Sequence, residues 1–526
     1  MVLCGQNVQL PAEPAVHAVV GSHASRHPDR IALTHGTGEL WSYGRLDARA
    51  NQFAHFLRLQ GVGRGSIVGV CADRTPELMI AILGVLKAGA AYAPLDPTYP
   101  EDRLRLMISR LARMDLIAVT PETRELVPGG HLLDLVELGP RLDPLPVTAP
   151  EVRTRGDDLC YVVCTSGSTG TPKAVTVDHR GWYNLLNWLC TEYRLGPGSG
   201  GMVISPLGFD ITQRALMLPL FAGAAVHLLP SRHFDPRLAY RLIGELGARA
   251  VHCAPSAFYL LAEHEMAGGG EVLRELDRVF LGGEPPAASR FADWARLPGN
   301  RATLANVYGV AECTDISTAH VLSDYESYLA GSVPAGRPIH NTRVLVLDDG
   351  LAEVIDGEVG EICVAGTGVG PGYLDPAPED EARFVTVERD GVPVRLHRTG
   401  DRGYVSATSE LMVVGRVDAQ VKVRGMRIDL GDVETAIRRH PGVRDAAVLA
   451  LPDARGQTEL VAAVLPANGP IEGRGLRGDL LRALPKGMIP QRLVEVAEFP
   501  LSPHGKVDRR ALARRLRHDG DGARVL

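Results

Sequence analysis

Strand-like apolar runs alternate with helix-like runs over most of this chain. Ile67-Val68-Gly69-Val70-Cys71 reads as a buried strand, 76–88 as a helix and Ala91-Tyr92-Ala93-Pro94-Leu95 as the next strand. The same rhythm returns at Leu159-Cys160-Tyr161-Val162-Val163-Cys164, 202–206, 224–229 and 249–253. Such alternation predicts parallel βαβ units, because a parallel sheet needs crossover helices. Between Asn341 and Val364 the runs shorten and are broken by Asp348-Asp349-Gly350 and Asp356-Gly357, which predicts hairpins in a smaller β-rich unit. After Gly415-Arg416-Val417-Asp418 come an alternating stretch at 420–428, a helix at 431–440, strands at 445–451 and 459–465, and a helix at 475–484. The expected fold class is α/β. A large N-terminal domain of βαβ sheets with a small β-rich subdomain spans 1–417, and a small mobile C-terminal α+β lid spans 418–526.

Composition changes this picture little. A chain of 526 residues exceeds one simple core, and 45% apolar with 22% charged residues is ordinary for a globular protein. The net charge of −6 offers no basic face for nucleic acid. The most apolar stretch, 78–95, contains Gly84, Lys87, Gly89 and Pro94, so it reads as helix then strand rather than a membrane span. The start lacks the basic and apolar regions of a signal peptide. Eight cysteines without a Cys-x-x-Cys pair read as free thiols. A cytoplasmic protein with no nucleic-acid or membrane partner is expected.

Chemistry first becomes visible at Thr165-Ser166-Gly167-Ser168-Thr169-Gly170-Thr171-Pro172-Lys173. Glycines let backbone N–H groups approach an anion, while hydroxyls and a lysine add donors, so the loop suits phosphate. It is not the common nucleotide loop: Pro172 stands where that motif needs glycine, and Ala174 where it needs Ser or Thr.

Tyr308-Gly309-Val310-Ala311-Glu312, His397-Arg398-Thr399-Gly400-Asp401, Gly415-Arg416-Val417-Asp418 and Gly505-Lys506 follow in that order. With these motifs the chain resembles the adenylate-forming enzymes, and in particular the amino-acid-activating adenylation domains of nonribosomal peptide synthetases. Leu86-Lys87-Ala88-Gly89-Ala90-Ala91-Tyr92-Ala93-Pro94-Leu95-Asp96 and Leu484-Pro485-Lys486-Gly487-Met488-Ile489-Pro490 match that branch.

The resemblance implies ATP and Mg²⁺ as cofactors and a reaction in two steps. An amino acid is activated as its adenylate with release of pyrophosphate. It is then passed to the phosphopantetheine thiol of a carrier protein. Thr165, Ser166, Gly167, Ser168, Thr169, Gly170 and Lys173 would hold the leaving phosphates, with Thr165 and Lys173 counted as catalytic alongside Lys506. Tyr308 would stack on adenine near Gly283, Glu284, Asn306 and Gly309. Asp401 would bind the ribose, with Arg416 beside it, and Glu312 would hold Mg²⁺. Asp418 would be the hinge on which the lid swings between half-reactions, bringing 420–425 to the thioester site. Val310 and Ala311 depart from the Pro and Thr usual in the family, which removes one hydroxyl from the phosphate site.

The substrate pocket implied by the resemblance is Asp210, Ile211, Arg214, His252, Phe280, Gly282, Val307, Asp315 and Ile316. Asp210 matches the partner of the substrate α-ammonium. Three readings stay open for the rest. Arg214 facing the substrate suits an acidic or amide side chain. Arg214 closing on Asp315 leaves room only for a small one. Asp315 facing the substrate suits a basic one. Charge complementarity alone leans toward an acidic or otherwise polar side chain. The chain has no carrier signature after Lys506, so a free-standing enzyme with its carrier in trans is expected. The resemblance also admits a small MbtH-like helper protein as a partner. Competing expectations are a coenzyme A ligase on the same fold and a degenerate, non-catalytic nucleotide-binding module.

Overall fold

The computed structural model describes residues 2–111, 114–165, 172–389, 391–417, 420–453, 456–467, 469–500, 507–517 and 524–526. The predicted βαβ rhythm is present. Ile67–Cys71, Pro76–Lys87 and Ala91–Pro94 form strand, helix and parallel strand, with Ile67 opposite Ala91.

Among the described residues the large body holds three sheets. One is nine-stranded, and its middle runs Thr303–Tyr308, Arg278–Gly282, Ala250–Cys253, Gly201–Val203, Val226–Leu228, Ile31–His35, all parallel neighbours. A second, seven-stranded sheet carries Leu159–Thr165, Ala91–Pro94, Ile67–Cys71 and Met114–Val119. Strand alternation divides each sheet between two cores. Val68 and Val70 of one sheet and Val203, Phe280 and Val307 of the other share a central core with the helices Tyr43–Leu59, Pro76–Lys87, His179–Glu192 and Asp210–Phe221. Ile67 and Cys71 turn to an outer core, as do Met202 and Val251 on the far side.

Two departures from the predicted pattern matter. The chain after Leu159–Thr165 does not cross over to a parallel strand; Lys173–Asp178 returns antiparallel, so the phosphate-loop sequence joins a hairpin. The β-rich unit is also larger than 341–364. Its six-stranded sheet runs on through Val392–Val405 to Leu411–Arg416 and takes up Val2–Cys4 at its edge.

The C-terminal unit forms as expected. Val443–Pro452 and Thr458–Pro466 pair antiparallel, and Leu430–Arg438 and Gly473–Ala483 pack on them around Val433, Ile437, Val448, Leu476 and Leu480. The alternating stretch 420–428 is a two-stranded hairpin, Gln420–Val423 with Met426–Asp429, turned through Arg424 and Gly425 at positive φ. No helix among the described residues is long and apolar enough to cross a membrane. All eight cysteines are free.

Candidate active site

The parallel strands of the nine-stranded sheet end on one cleft, the usual place for a ligand in an open α/β sheet. The turn after Gly201–Val203 delivers Asp210, the first residue of the helix Asp210–Phe221. Arg278–Gly282 delivers Gly282, Gly283 and Glu284, and Thr303–Tyr308 delivers Tyr308, Gly309 and Glu312. The 420–429 hairpin of the C-terminal unit closes the cleft from above, so Asp210 and Thr165 share its wall with Lys422 and Arg427.

On the side expected to hold the substrate, Asp210 and Arg214 lie four residues apart and so share one helix face. The Arg214 guanidinium is 1% exposed. Its Nε donates to Asp315 Oδ2 at 2.5 Å, and Nη1 lies 2.6 Å from His252 Nδ1. His252 stacks flat on Phe280, its partner on the next strand, at 4.6 Å between centroids. Burial and the Arg214 charge hold the His252 pKa well below the usual imidazole value, so the ring is neutral and Nδ1 accepts. Gly282 faces Val307 and Ile211; a Cβ there would lie 2.9 Å from Val307 Cγ2. Ile316 is buried beside Asp315 in the chain.

Asp315 reaches Arg214 because the backbone is bent to bring it there. Thr314 and Asp315 both have positive φ, 59° and 68°, a conformation that a β-branched residue rarely adopts. The turn also leans on Gly309, where a Cβ would fall 1.8 Å from the Asp315 carbonyl oxygen. The strain thus sits where the pocket charge is set. Among the described residues, the Asp210 carboxylate accepts only a local bond, from Ile211 N–H at 2.8 Å. Burial and the nearby Asp315 push its pKa up to about 7.

The side expected to hold the nucleotide is organised differently. Asp401 is 1% exposed. It accepts from Tyr308 Oη at 2.8 Å and pairs with Arg416, while Lys422 Nζ lies 4.0 Å away. Burial would raise its pKa, but Lys422 and Arg416 outweigh burial and lower it. Lys422 also stands 5.0 Å over the Tyr308 ring, the ring expected to stack on adenine. Glu312, 1% exposed, accepts from Tyr373 Oη at 2.8 Å and from Arg427 Nη1 at 3.2 Å on each oxygen. Burial is again outweighed, here by Arg427, His397 and Tyr373, and the carboxyl stays well below the usual range. Gln420 Oε1 accepts from both Arg416 and Arg427, tying the two cation sites together.

Glu312 offers the hard carboxylate oxygen that Mg²⁺ prefers. Among the described residues no group of three or more His, Cys, Asp or Glu could hold a metal. A cation at Glu312 would therefore take its remaining ligands from phosphates and water, the normal habit of Mg²⁺. When bound there it would neutralise phosphate charge.

The remaining expected residues fall around this frame. Asn306 Nδ2 donates to the Pro334 carbonyl at 2.7 Å, and Glu284 Oε1 accepts from Ser256 N–H at 2.8 Å. Gly283 meets the Gly425 backbone of the hairpin, where a Cβ would come within 2.9 Å of a carbonyl oxygen. Lys173 opens its strand and pairs with Asp380 at 2.5 Å. Ser166, Gly167, Ser168, Thr169, Gly170, Asp418 and Lys506 lie outside the described residues. Sequence reasoning missed Arg427, Tyr373 and Asp380. It named the stretch holding Lys422 but gave that lysine no partner.

The sequence pattern of the AMP-binding enzyme family matches residues 21–374, and that of the AMP-binding enzyme C-terminal domain matches residues 432–506. The chain belongs to the AMP-binding enzyme family. Relatives that it matches include nonribosomal peptide synthetases. It is 35% identical over 502 residues to a dimodular nonribosomal peptide synthase of Bacillus subtilis, covering 93% of this chain and 21% of that protein. It is 34% identical over 518 residues to tyrocidine synthase 3 of Brevibacillus parabrevis, covering 96% of this chain and 8% of that protein. The chain thus spans about a fifth or less of these two relatives. A solved holo nonribosomal peptide synthetase protein containing adenylation and PCP domains, bound to a vinylsulfonamide inhibitor, superposes with a TM-score of 0.83 at 29% identity, over 96% of this chain and 84% of that one. An artificially fused adenylation–PCP di-domain protein from Klebsiella oxytoca superposes with a TM-score of 0.83 at 25% identity, over 92% and 94%.

Proposed function

We propose that this AMP-binding enzyme is a ligase that activates an amino acid as its aminoacyl adenylate. It then transfers the aminoacyl group to the phosphopantetheine thiol of a separate carrier protein in natural-product biosynthesis. A carboxylate oxygen of the substrate bonds to the α-phosphorus of ATP as the bond to pyrophosphate breaks. The carrier thiolate then attacks the acyl carbon and AMP leaves. Anion meets anion in the first step, so the protein's work is positioning and charge neutralisation.

One observation carries this reading. Asp210, Glu312 and Asp401 meet at one cleft: Asp210 shares its wall with Lys422 and Arg427, and those two cations reach Asp401 at 4.0 Å and Glu312 at 3.2 Å. Asp210 would hold the substrate ammonium, Asp401 the ribose and Glu312 the cation on the phosphates. Thr165, the 166–170 loop and Lys173 would hold the leaving phosphates, and Lys506 would serve the reacting one. The boundary at 417/418 and the hinge at Asp418 would let the C-terminal unit exchange Lys506 for the 420–429 hairpin. The hairpin's place against Asp401 and Glu312 fits the thioester-forming arrangement. The carrier-linked relatives support this acceptor, and an MbtH-like helper is compatible with it.

ATP–pyrophosphate exchange across proteinogenic, β- and D-amino acids tests the first step. Holo-carrier against coenzyme A as acceptor tests the second. Exchange with no amino acid at all would refute the proposal.

A further inference from the structure

The floor of the substrate pocket carries its own charge balance. Arg214 gives its Nε to Asp315 and its Nη1 to His252. His252 accepts at Nδ1 and so bears no proton there. Arg214 and Asp315 cancel, and among the described residues Asp210 makes no ion pair, with Lys422 lining the same cleft. A single ammonium neutralises Asp210. A substrate side chain with a second charge would have to be buried without a counter-ion, or would have to break the Arg214–Asp315 pair.

The same network has two unused donors. Arg214 Nη2 and His252 Nε2 are buried and have no hydrogen-bond partner among the described residues. Both are donors: a guanidinium has no lone pair to offer, and a neutral imidazole that accepts at Nδ1 carries its hydrogen on Nε2. Buried donors without an acceptor are costly, so the site favours a ligand that brings one. The depth available is short. Arg214 lies about one helical turn, ~5 Å, beyond Asp210 on the same face. His252, stacked flat on Phe280, meets the guanidinium, and Gly282 lies against Val307 and Ile211.

We infer that this pocket selects an amino acid with a short, uncharged side chain bearing an acceptor oxygen, of the serine, threonine or asparagine kind, with Arg214, His252 and Asp315 as its specificity-determining residues. This rests on the proposed function, with Asp210 as the ammonium partner.

The test is ATP–pyrophosphate exchange on the full chain, with serine, threonine and asparagine set against alanine, valine, aspartate, glutamate, lysine and ornithine. The oxygen-bearing neutral substrates are expected to exceed every charged one by about 100-fold or more in kcat/KM, and their apolar counterparts by about tenfold. Asp315→Asn frees Arg214 and should shift preference toward aspartate. Arg214→Met frees Asp315 and should shift it toward lysine or ornithine. The Arg214→Met/Asp315→Leu double variant removes both charges and should restore preference for neutral side chains without either shift. Thermal melting of each variant identifies any that fails to fold, and the double variant and the wild-type profile then decide alone. A wild-type preference for a charged side chain overturns the inference while leaving adenylation intact. So does a preference for alanine over serine and valine over threonine. Exchange with no amino acid overturns the proposed function itself.

Discussion

Glu312 and Asp315 lie three residues apart and carry the same charge, yet their cations come from opposite parts of the chain. Asp315 is paired by Arg214, from a helix of the large body, with His252 behind it. Glu312 is paired by Arg427, from the hairpin of the C-terminal unit, and Asp401 receives Arg416 and Lys422 from either side of residues 418–419. The first network can persist through any movement of the C-terminal unit, because none of its members belongs to it. Under the proposed swing of the C-terminal unit, the second would lose Arg427 and Lys422 and keep Arg416, whose strand belongs to the large body. In the proposed function the first carboxylate would serve a constant property, which amino acid fits, and the second would serve exchange, with Arg427 on the oxygens that a cation would claim.

The largest expected effect lies on the exchangeable side. If Lys506 serves the reacting phosphate as proposed, Lys506→Ala should lower adenylate formation by about 10³-fold or more while ATP still binds. Pyrophosphate exchange and nucleotide binding measured on the same variant check this. Near-wild-type exchange would remove Lys506 from the chemistry.

Next come the fixed charges. Asp315→Leu leaves Arg214 buried and unpaired, which should cost about 3–5 kcal/mol of stability by denaturant unfolding. Arg214→Met/Asp315→Leu should recover most of that loss, since a neutral pair of similar volume replaces the ions. If the double variant is as unstable as the sum of its parts, the pair is not one unit.

Much of this comparison could be read before the structure, and the rest could not, for physical reasons. Asp210, Asp401 and Glu312 announce themselves because each stands in a short local motif. The strand and helix order is legible because periodicity is local. The partners are not: Arg214 and Asp315 meet across 101 residues, and Arg427 and Glu312 across 115. Three readings of Arg214 stayed open until geometry closed it on Asp315. The positive φ of Thr314 and Asp315 gave no sign in the sequence either, since neither is glycine or asparagine. Charge complementarity leans toward an acidic or otherwise polar side chain, and its acidic half counts Arg214 as free, whereas Arg214 pairs with Asp315.

Arg427→Met sharpens the exchange. Without its guanidinium, Glu312 loses a competitor for Mg²⁺, so Mg²⁺-dependent ATP binding should tighten by about tenfold, roughly one surface-shielded ion pair's worth. Thioester formation should slow, because the hairpin loses a contact holding it at the cleft. Titration calorimetry with and without Mg²⁺ separates this from a general loosening, which would change metal-free binding equally.

The smallest effect is a pH dependence confined to the fixed side. Asp210 titrates at about 7 in the unliganded cleft, raised by burial and by Asp315. An ammonium needs the carboxylate, so apparent amino-acid affinity should fall about fivefold from pH 7 to pH 6, as the ionised fraction drops. The sign for stability is the reverse. The folded state holds a proton on Asp210 that the unfolded chain has released, so this residue's contribution to stability declines as pH rises from about 4 to about 7. Bound substrate offsets that decline by supplying the counter-charge, and binding at pH 6 should release a proton visible as a buffer-dependent heat. Asp210→Asn should abolish both the proton release and the pH slope. Glu312 is already ionised across this range, so Glu312→Gln should leave the slope unchanged. A slope that follows Glu312 instead would place the titrating group on the exchangeable side of the cleft.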